Sequence, residues 1–300
     1  RYAILFSDAR PLPVPMLDPA DAGTSDAPAV AAERSATKAP AVAPGRTAGD
    51  RSDAAADDAL FERFAAAFAA ARPRPSVALV SFPHNPTTRC VGRRFFERLV
   101  DLARREDVAL IHDFAYADIV FDGYRAPSIL QVPGADEVAV ELVSLSKSHN
   151  MAGWRLGLVA GSAEIVRALR RLKSYLDYGV TTPVQLMALT ALRDCTHTPS
   201  TMAATYQGRR DALCGGLEDA GWPVPRPRGT MFVWAPLPAT WRDRGSLAFA
   251  RHLLDVAGVA VSPGVGFGPE GEDYVRFALV QPEERIAEAV ARIGQALSTG

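Results

Sequence analysis

Lysine is nearly missing from this chain: of 33 basic residues only Lys38, Lys147 and Lys173 are lysines, and the rest are arginine. Cysteine is as scarce. Cys90, Cys195 and Cys214 are odd in number, widely spaced and without a CxxC pair. That argues against a disulfide framework or a cysteine zinc site and fits reduced thiols in a cytoplasmic protein. No apolar run approaches the roughly 20 residues that a membrane helix needs. An excess of one charge is lacking too, since 33 Lys+Arg against 34 Asp+Glu leave a formal net charge of -1. Nothing in that balance points to a nucleic acid or a membrane surface as partner. Arg1–Leu17 has none of the basic start, apolar centre and small-residue cleavage site of a signal peptide. Because Arg1 is not methionine, the natural start is expected upstream.

What is present is ordinary for a globular protein, with 48% hydrophobic and 22% charged residues. Three hundred residues can form one large domain or two smaller ones. The preference for arginine has a bland cause in a GC-rich coding bias. Even so, a position that stays lysine is a candidate for chemistry that needs an amine, because arginine remains protonated and forms no imine.

Residues 18–59 contain no aromatic residue, Leu, Ile or Met. Such a stretch cannot bury enough apolar surface to offset the entropy of ordering, and it is expected to be a disordered low-complexity insertion. Phe61, Phe64 and Phe68 then share a helical face that ends before Pro73 and Pro75. Short apolar runs at Val77–Phe82, Val108–Ile111, Val138–Leu145 and Trp154–Ala160 read as strands. They alternate with helices over about Val91–Arg105 and from Ser162, an expected N-cap, through a stripe of Ile165, Leu169, Leu172 and Leu176. This alternation predicts an α/β fold with a mostly parallel sheet. Beyond a helical stretch at Pro183–Leu192, helices near Ser200–Ala220, Leu247–Val256 and Ile286–Leu297 surround strands at Met231–Ala235, Val259–Ser262 and Tyr274–Val280. That pattern suggests a smaller α+β domain.

Polar residues cluster where strands end, which is where ligands sit on open α/β sheets. Asn85 follows the first strand, Asp113 and Tyr116 the second, and Ser144 and Lys147 the third, with Arg155 eight residues further on. An amine, hydroxyls, a guanidinium, a carboxylate, a phenol and an amide suit a phosphorylated heteroaromatic aldehyde. Taken singly, each is more often a surface, capping or ion-pair residue; their order and spacing carry the argument. His84, His112 and His149 match no common metal-ligand spacing. Gly264, Gly266 and Gly268 lack the third-glycine spacing and following helix of a dinucleotide loop. Lys173 reads as a solvated residue beside an apolar stripe.

Three segments carry a resemblance: Ser81-Phe-Pro-His-Asn85-Pro-Thr, His112-Asp113-Phe-Ala-Tyr116-Ala-Asp, and Ser144-Leu-Ser-Lys147 through Gly153-Trp-Arg155-Leu-Gly157. Together they resemble the ordered motifs of class I/II aminotransferases, pyridoxal-phosphate (PLP) enzymes of fold type I. The stretch Ile111–Gly161 is most similar to the branch of glutamate–pyruvate (alanine) transaminases and LL-diaminopimelate aminotransferases. The resemblance implies Lys147 as Schiff-base lysine and acid/base catalyst and Asp113 at the pyridinium nitrogen. Asn85 and Tyr116 would contact the ring oxygen, and Ser144 and Arg155 the phosphate. Within Tyr274-Val-Arg276-Phe, it implies Arg276 as clamp for the substrate α-carboxylate. It further implies amino-acid and 2-oxo-acid substrates, with alanine and glutamate favoured, and a homodimer.

On that resemblance, residues 1–17 are a remnant of the large domain and 60–199 its PLP-binding part, while 200–300 form the small domain. The family's N-terminal part, with its phosphate-binding turn and ring-stacking aromatic residue, is expected to lie ahead of Arg1. The chain is therefore read as a fragment whose isolated activity is in question. A PLP lyase on the same fold, an inactive fragment and a non-catalytic PLP-sensing module are the competing readings.

Overall fold

The computed structural model describes residues 14–16 and 48–298. Most of the expected remnant 1–17 and insertion 18–59 therefore lies outside the described residues. Where residues 48–59 are described, the expectation of disorder is corrected. Helix α1 runs Ala48–Ala70 and does not start near residue 60. Alanine is the best helix former, and Leu60, Phe61, Phe64 and Phe68 anchor the later turns in a core. Asp57 fastens the earlier turns: its carboxylate accepts the Gly92 backbone N–H at 2.7 Å and faces Arg89 at 3.4 Å. Composition alone registered the missing large apolar residues but not this tertiary anchor.

The first sheet holds β1 (Val77–Ser81), β2 (Ala109–Asp113), β3 (Ala139–Ser144) and β4 (Gly157–Gly161), in that spatial order. β1, β2 and β3 are parallel and β4 is antiparallel to β3. Helix α2 (Arg93–Glu106) connects β1 to β2, and the one-turn helices α3 (Ala135–Val138) and α4 (Leu145–Ser148) flank β3. Helix α2 lays Phe95, Phe96, Leu99 and Leu102 against the sheet, where they join the α1 phenylalanines in one core. Val14 and Met16 pack against the same core. Leu99 is fully buried there. Leu99→Ala is expected to cost about 2–5 kcal/mol, read as a lower midpoint in urea denaturation with an unchanged slope.

The other side of β1 is uncovered among the described residues. Val77 and Leu79 are 52% and 65% exposed. Helices α5 (Ala163–Leu176) and α6 (Thr182–Asp194) follow β4, the second where a helical stretch was expected at Pro183–Leu192. The stripe of α5 is not buried, and neither is any other residue of that helix. Ser162 stands at its N-cap position without a side-chain capping bond.

The second sheet has the order β5 (Phe232–Pro236), β7 (Tyr274–Ala278), β6 (Ser262–Pro263), antiparallel throughout. It packs with α7 (Thr198–Asp219), α8 (Gly245–Ala257) and α9 (Glu283–Ser298) around Leu217, Val233, Phe249, Leu253, Val275 and Ile293. The strand expected at Val259–Ser262 is reduced to the two residues of β6. Ile119 and Phe121, from the first part of the chain, are buried in this second core. Backbone bonds from Thr230 N–H to the Ile119 carbonyl and from Phe121 N–H to the Arg228 carbonyl hold them there. Arg210 of α7 adds a side-chain link, bonding Asp122 and the Pro227 carbonyl.

Candidate functional site

The pairing register brings the polar strand ends to one edge. Ser81 lies beside Asp113 and Asp113 beside Leu142. Because β4 runs backwards, its first residue Gly157 pairs with Ser144. Arg155, just before β4, therefore lies at the same edge as Asn85, Asp113, Ser144 and Lys147.

At the end of β3, Ser144 caps α4 by accepting the Ser146 backbone N–H at 3.2 Å. That short turn carries Lys147. The residue is half-buried, with its amine 6.0 Å from the centre of the Tyr116 ring. It has no hydrogen bond or ion pair among the described residues. Asp113 accepts the Ala115 backbone N–H at 3.1 Å and has no cationic partner among the described residues. Arg155 is exposed in a left-handed conformation (φ 54°) and donates to the Ala152 carbonyl at 3.0 Å. Tyr116 is buried, its ring edge-on to Phe232 at 5.8 Å. Burial raises its pKa, Asp113 and Tyr206 add to the rise, and Arg276 opposes it.

Arg276, from β7, completes the group across the two sheets. Its Nη1 donates to Asn85 Oδ1 at 2.7 Å, and its Nη2 lies 3.4 Å from Ser262 Oγ. The guanidinium carbon is 4.1 Å from the Phe232 ring centre and 4.5 Å from that of Phe267. Burial lowers the Arg276 pKa, an effect that Tyr116 opposes. Its Nε is buried with no acceptor among the described residues. Asn85, Arg276, Phe232, Tyr116 and Lys147 thus form a chain of neighbours, and Asp113 acts on Tyr116 electrostatically. No such direct contact ties Ser144 or Arg155 to that chain; the sheet register alone places them.

Phe232, Phe267 and Ser262 were not legible as site residues. A phenylalanine beside a strand carries only a core signal, and the cation–ring contact arises when β7 and the turn after β6 meet. His84, in the loop before Asn85, is close to Thr87 Oγ1 through Nδ1 at 2.8 Å. Burial and then Arg89 lower its pKa to about 4. A histidine held neutral in the fold loses ground when the unfolded chain protonates first. Its contribution is therefore present above pH ~6.5 and is lost as pH falls toward about 4. The shift corresponds to at most roughly 3 kcal/mol, less after solvent screening. His84→Asn is expected to flatten the denaturation midpoint between pH 6.5 and 4.

The chemistry of this donor set fits PLP. A free amine suits its aldehyde, an uncompensated carboxylate its ring nitrogen, and a guanidinium with hydroxyls its phosphate. The orphaned Arg276 Nε is a buried donor of the kind a ligand carboxylate satisfies. Among the described residues no helix is long and apolar enough to cross a membrane.

Residues 57–293 match the family profile "Aminotransferase class I and II". The glutamate-pyruvate aminotransferase AlaC of Escherichia coli (strain K12) is 51% identical over 221 residues, 74% of this chain and 54% of that protein. The LL-diaminopimelate aminotransferase of Desulforudis audaxviator is 44% identical, covering 73% of this chain and 55% of that one. Among solved structures, the probable N-succinyldiaminopimelate aminotransferase from Thermus thermophilus superposes with a TM-score of 0.68 at 40% identity, over 74% of this chain and 58% of that one. The chain spans about half the length of the curated relatives it matches.

Proposed function

Because this chain belongs to the class I and II aminotransferase family, whose members share fold type I and use PLP, we propose that it holds PLP on Lys147 and moves an amino group between an L-amino acid and a 2-oxo acid. The single observation that carries the reading is the Lys147 amine. Lys147 is half-buried at the sheet edge and its amine has no hydrogen bond or ion pair among the described residues, in a chain with only three lysines.

When bound, PLP supplies an electron-withdrawing ring that stabilises negative charge at the substrate carbon beside the amine. The chain's own residues bind, orient and move the proton. Lys147 Nζ would be the covalent anchor for the aldehyde, and the same amine would carry the proton removed from the substrate Cα. Asp113 would keep the ring nitrogen protonated, and Asn85 and Tyr116 would hydrogen-bond the ring oxygen. Ser144 and Arg155 would hold the phosphate. Arg276 clamps the α-carboxylate, with Phe232 and Phe267 fixing the plane of its guanidinium. Alanine and glutamate are the favoured donors, in line with the names of the similar proteins. The working unit is a homodimer in the cytoplasm, with residues 60–199 as its cofactor domain and 200–300 as its small domain.

Borohydride trapping tests the assignment. The chain mixed with PLP and reduced is expected to carry one pyridoxyl group, found by peptide mass on Lys147. Label on Lys38 or Lys173 alone would sink the proposal. Recovery of pyridoxamine phosphate after one turnover with L-alanine or L-glutamate is the expected sign of transfer, as opposed to elimination.

A further inference from the structure

Behind the site lies a buried ionisable pair that the functional reading does not use. His112 and Glu141 are direct neighbours in the β2–β3 register. His112 has no exposed surface and Glu141 is 6% exposed. His112 Nδ1 is 3.1 Å from Glu141 Oε2, and its Nε2 is 3.1 Å from the Phe82 carbonyl oxygen. The ring lies between Phe96 and Phe114, each with its centre 4.7 Å away. Glu141 is fully engaged: Oε1 accepts the Ser128 hydroxyl and Oε2 the Ile129 backbone N–H, both at 3.0 Å.

Hydrogen-bond chemistry limits how this arrangement is satisfied. A neutral imidazole has one donor nitrogen and one acceptor nitrogen. Here both face oxygens, one of a carboxylate and one of a carbonyl. A neutral ring beside an ionised Glu141 would leave a nitrogen lone pair against an oxygen lone pair at 3.1 Å, too close for a water to lie between. An extra proton, on the ring or shared with Glu141, removes that clash and leaves the pair neutral as a whole. One partner alone would be a buried uncompensated charge, which is strongly unfavourable.

The placement gives the pair a task. Successive strand residues face opposite sides, so His112 lies on the far side of β2 from its neighbour Asp113. The Phe82 carbonyl opens the loop Pro83-His84-Asn85, and the Ile129 N–H belongs to the segment leading to β3. We propose that His112 and Glu141 are positioning residues, a proton-sharing pair that holds the Asn85 loop in register with the strand that ends in Asp113. They touch neither cofactor nor substrate. The proposal rests on the PLP reading only for what Asn85 does.

The test joins nitrogen NMR of the histidine ring with cofactor titration. In the unaltered chain without PLP, the His112 signals are expected to show hydrogen on the Nε2 that faces Phe82 and either hydrogen on Nδ1 or a proton shared with Glu141. Glu141→Gln keeps an acceptor for Nδ1–H and the Ile129 N–H but removes the charge. It is expected to leave one ring hydrogen, on Nδ1, and to shift the Asn85 side-chain amide signal. PLP dissociation should rise about tenfold, and Asn85→Ala should add less in the Glu141→Gln background than alone. Two results would overturn the proposal: a ring with no hydrogen on Nε2 in the unaltered chain, or fully additive Glu141→Gln and Asn85→Ala losses. The first needs no variant to fold. A chain that takes up no PLP refutes the functional reading instead; the ring spectrum and the Asn85 shift then still decide the pair.

Discussion

Lys147→Ala is expected to leave a folded chain that cannot carry out the half-reaction with L-alanine or L-glutamate. Stability should change little. The Lys147 side chain makes no ion pair or hydrogen bond among the described residues, and substitutions away from such features are usually within about 0.5 kcal/mol. Activity should change greatly. The amine serves as covalent anchor and as proton carrier, and the proton transfer alone contributes about 10²–10⁴-fold. Lys147→Arg separates charge from chemistry, since it restores the cation without an amine that can form an imine. Both variants are expected to be inactive in single-turnover absorbance measurements. Turnover retained by either one removes Lys147 from the assignment.

The second large effect is expected at Arg276. Its Nη1 donates to Asn85 and its guanidinium carbon lies over the Phe232 and Phe267 rings, so the guanidinium is ordered before a ligand arrives. Preorganisation of this kind lowers the cost of binding a planar carboxylate. Arg276→Leu removes at least one charge-assisted hydrogen bond, worth about 1.5–3 kcal/mol, so KM for the amino acid should rise about 10- to 100-fold. Arg276→Lys keeps the charge but not the two-pronged geometry and should recover only part of that loss. PLP uptake by Arg276→Lys should stay close to that of the unaltered chain, because the proposed role is in substrate binding. A KM unchanged in Arg276→Leu would refute the clamp. A loss confined to PLP affinity would move Arg276 to the cofactor through its bond to Asn85.

Much of the architecture was legible because it rests on local patterns. Short apolar runs located β1, β2 and β3, and helical apolar spacing located α2 and α9, to within a few residues. Where the reading failed, distant partners had decided the outcome. Ala48–Ala70 is a helix because Asp57 meets Gly92 and Arg89 and the phenylalanines meet α2. The α5 stripe of Ile165, Leu169, Leu172 and Leu176 has the spacing of a core face, yet among the described residues nothing buries it. Amphipathic spacing states which face can be buried and says nothing of whether a partner is in place.

The lysine with which the reading began shows the same division. Sequence alone determined that Lys147 is a rare amine, one of three, and that it follows a strand among residues able to hold a phosphorylated aldehyde. Residue type and order along the chain suffice for that, because strand ends share one edge of a parallel sheet. Only the tertiary structure decided that Arg276 reaches Asn85 from 191 positions away and that two phenylalanine rings fix its plane. It likewise decided that His112 faces two oxygen acceptors. Those are contacts between separate sheets, or between side chains on adjoining strands. Their distances depend on packing, which no local pattern in the chain encodes.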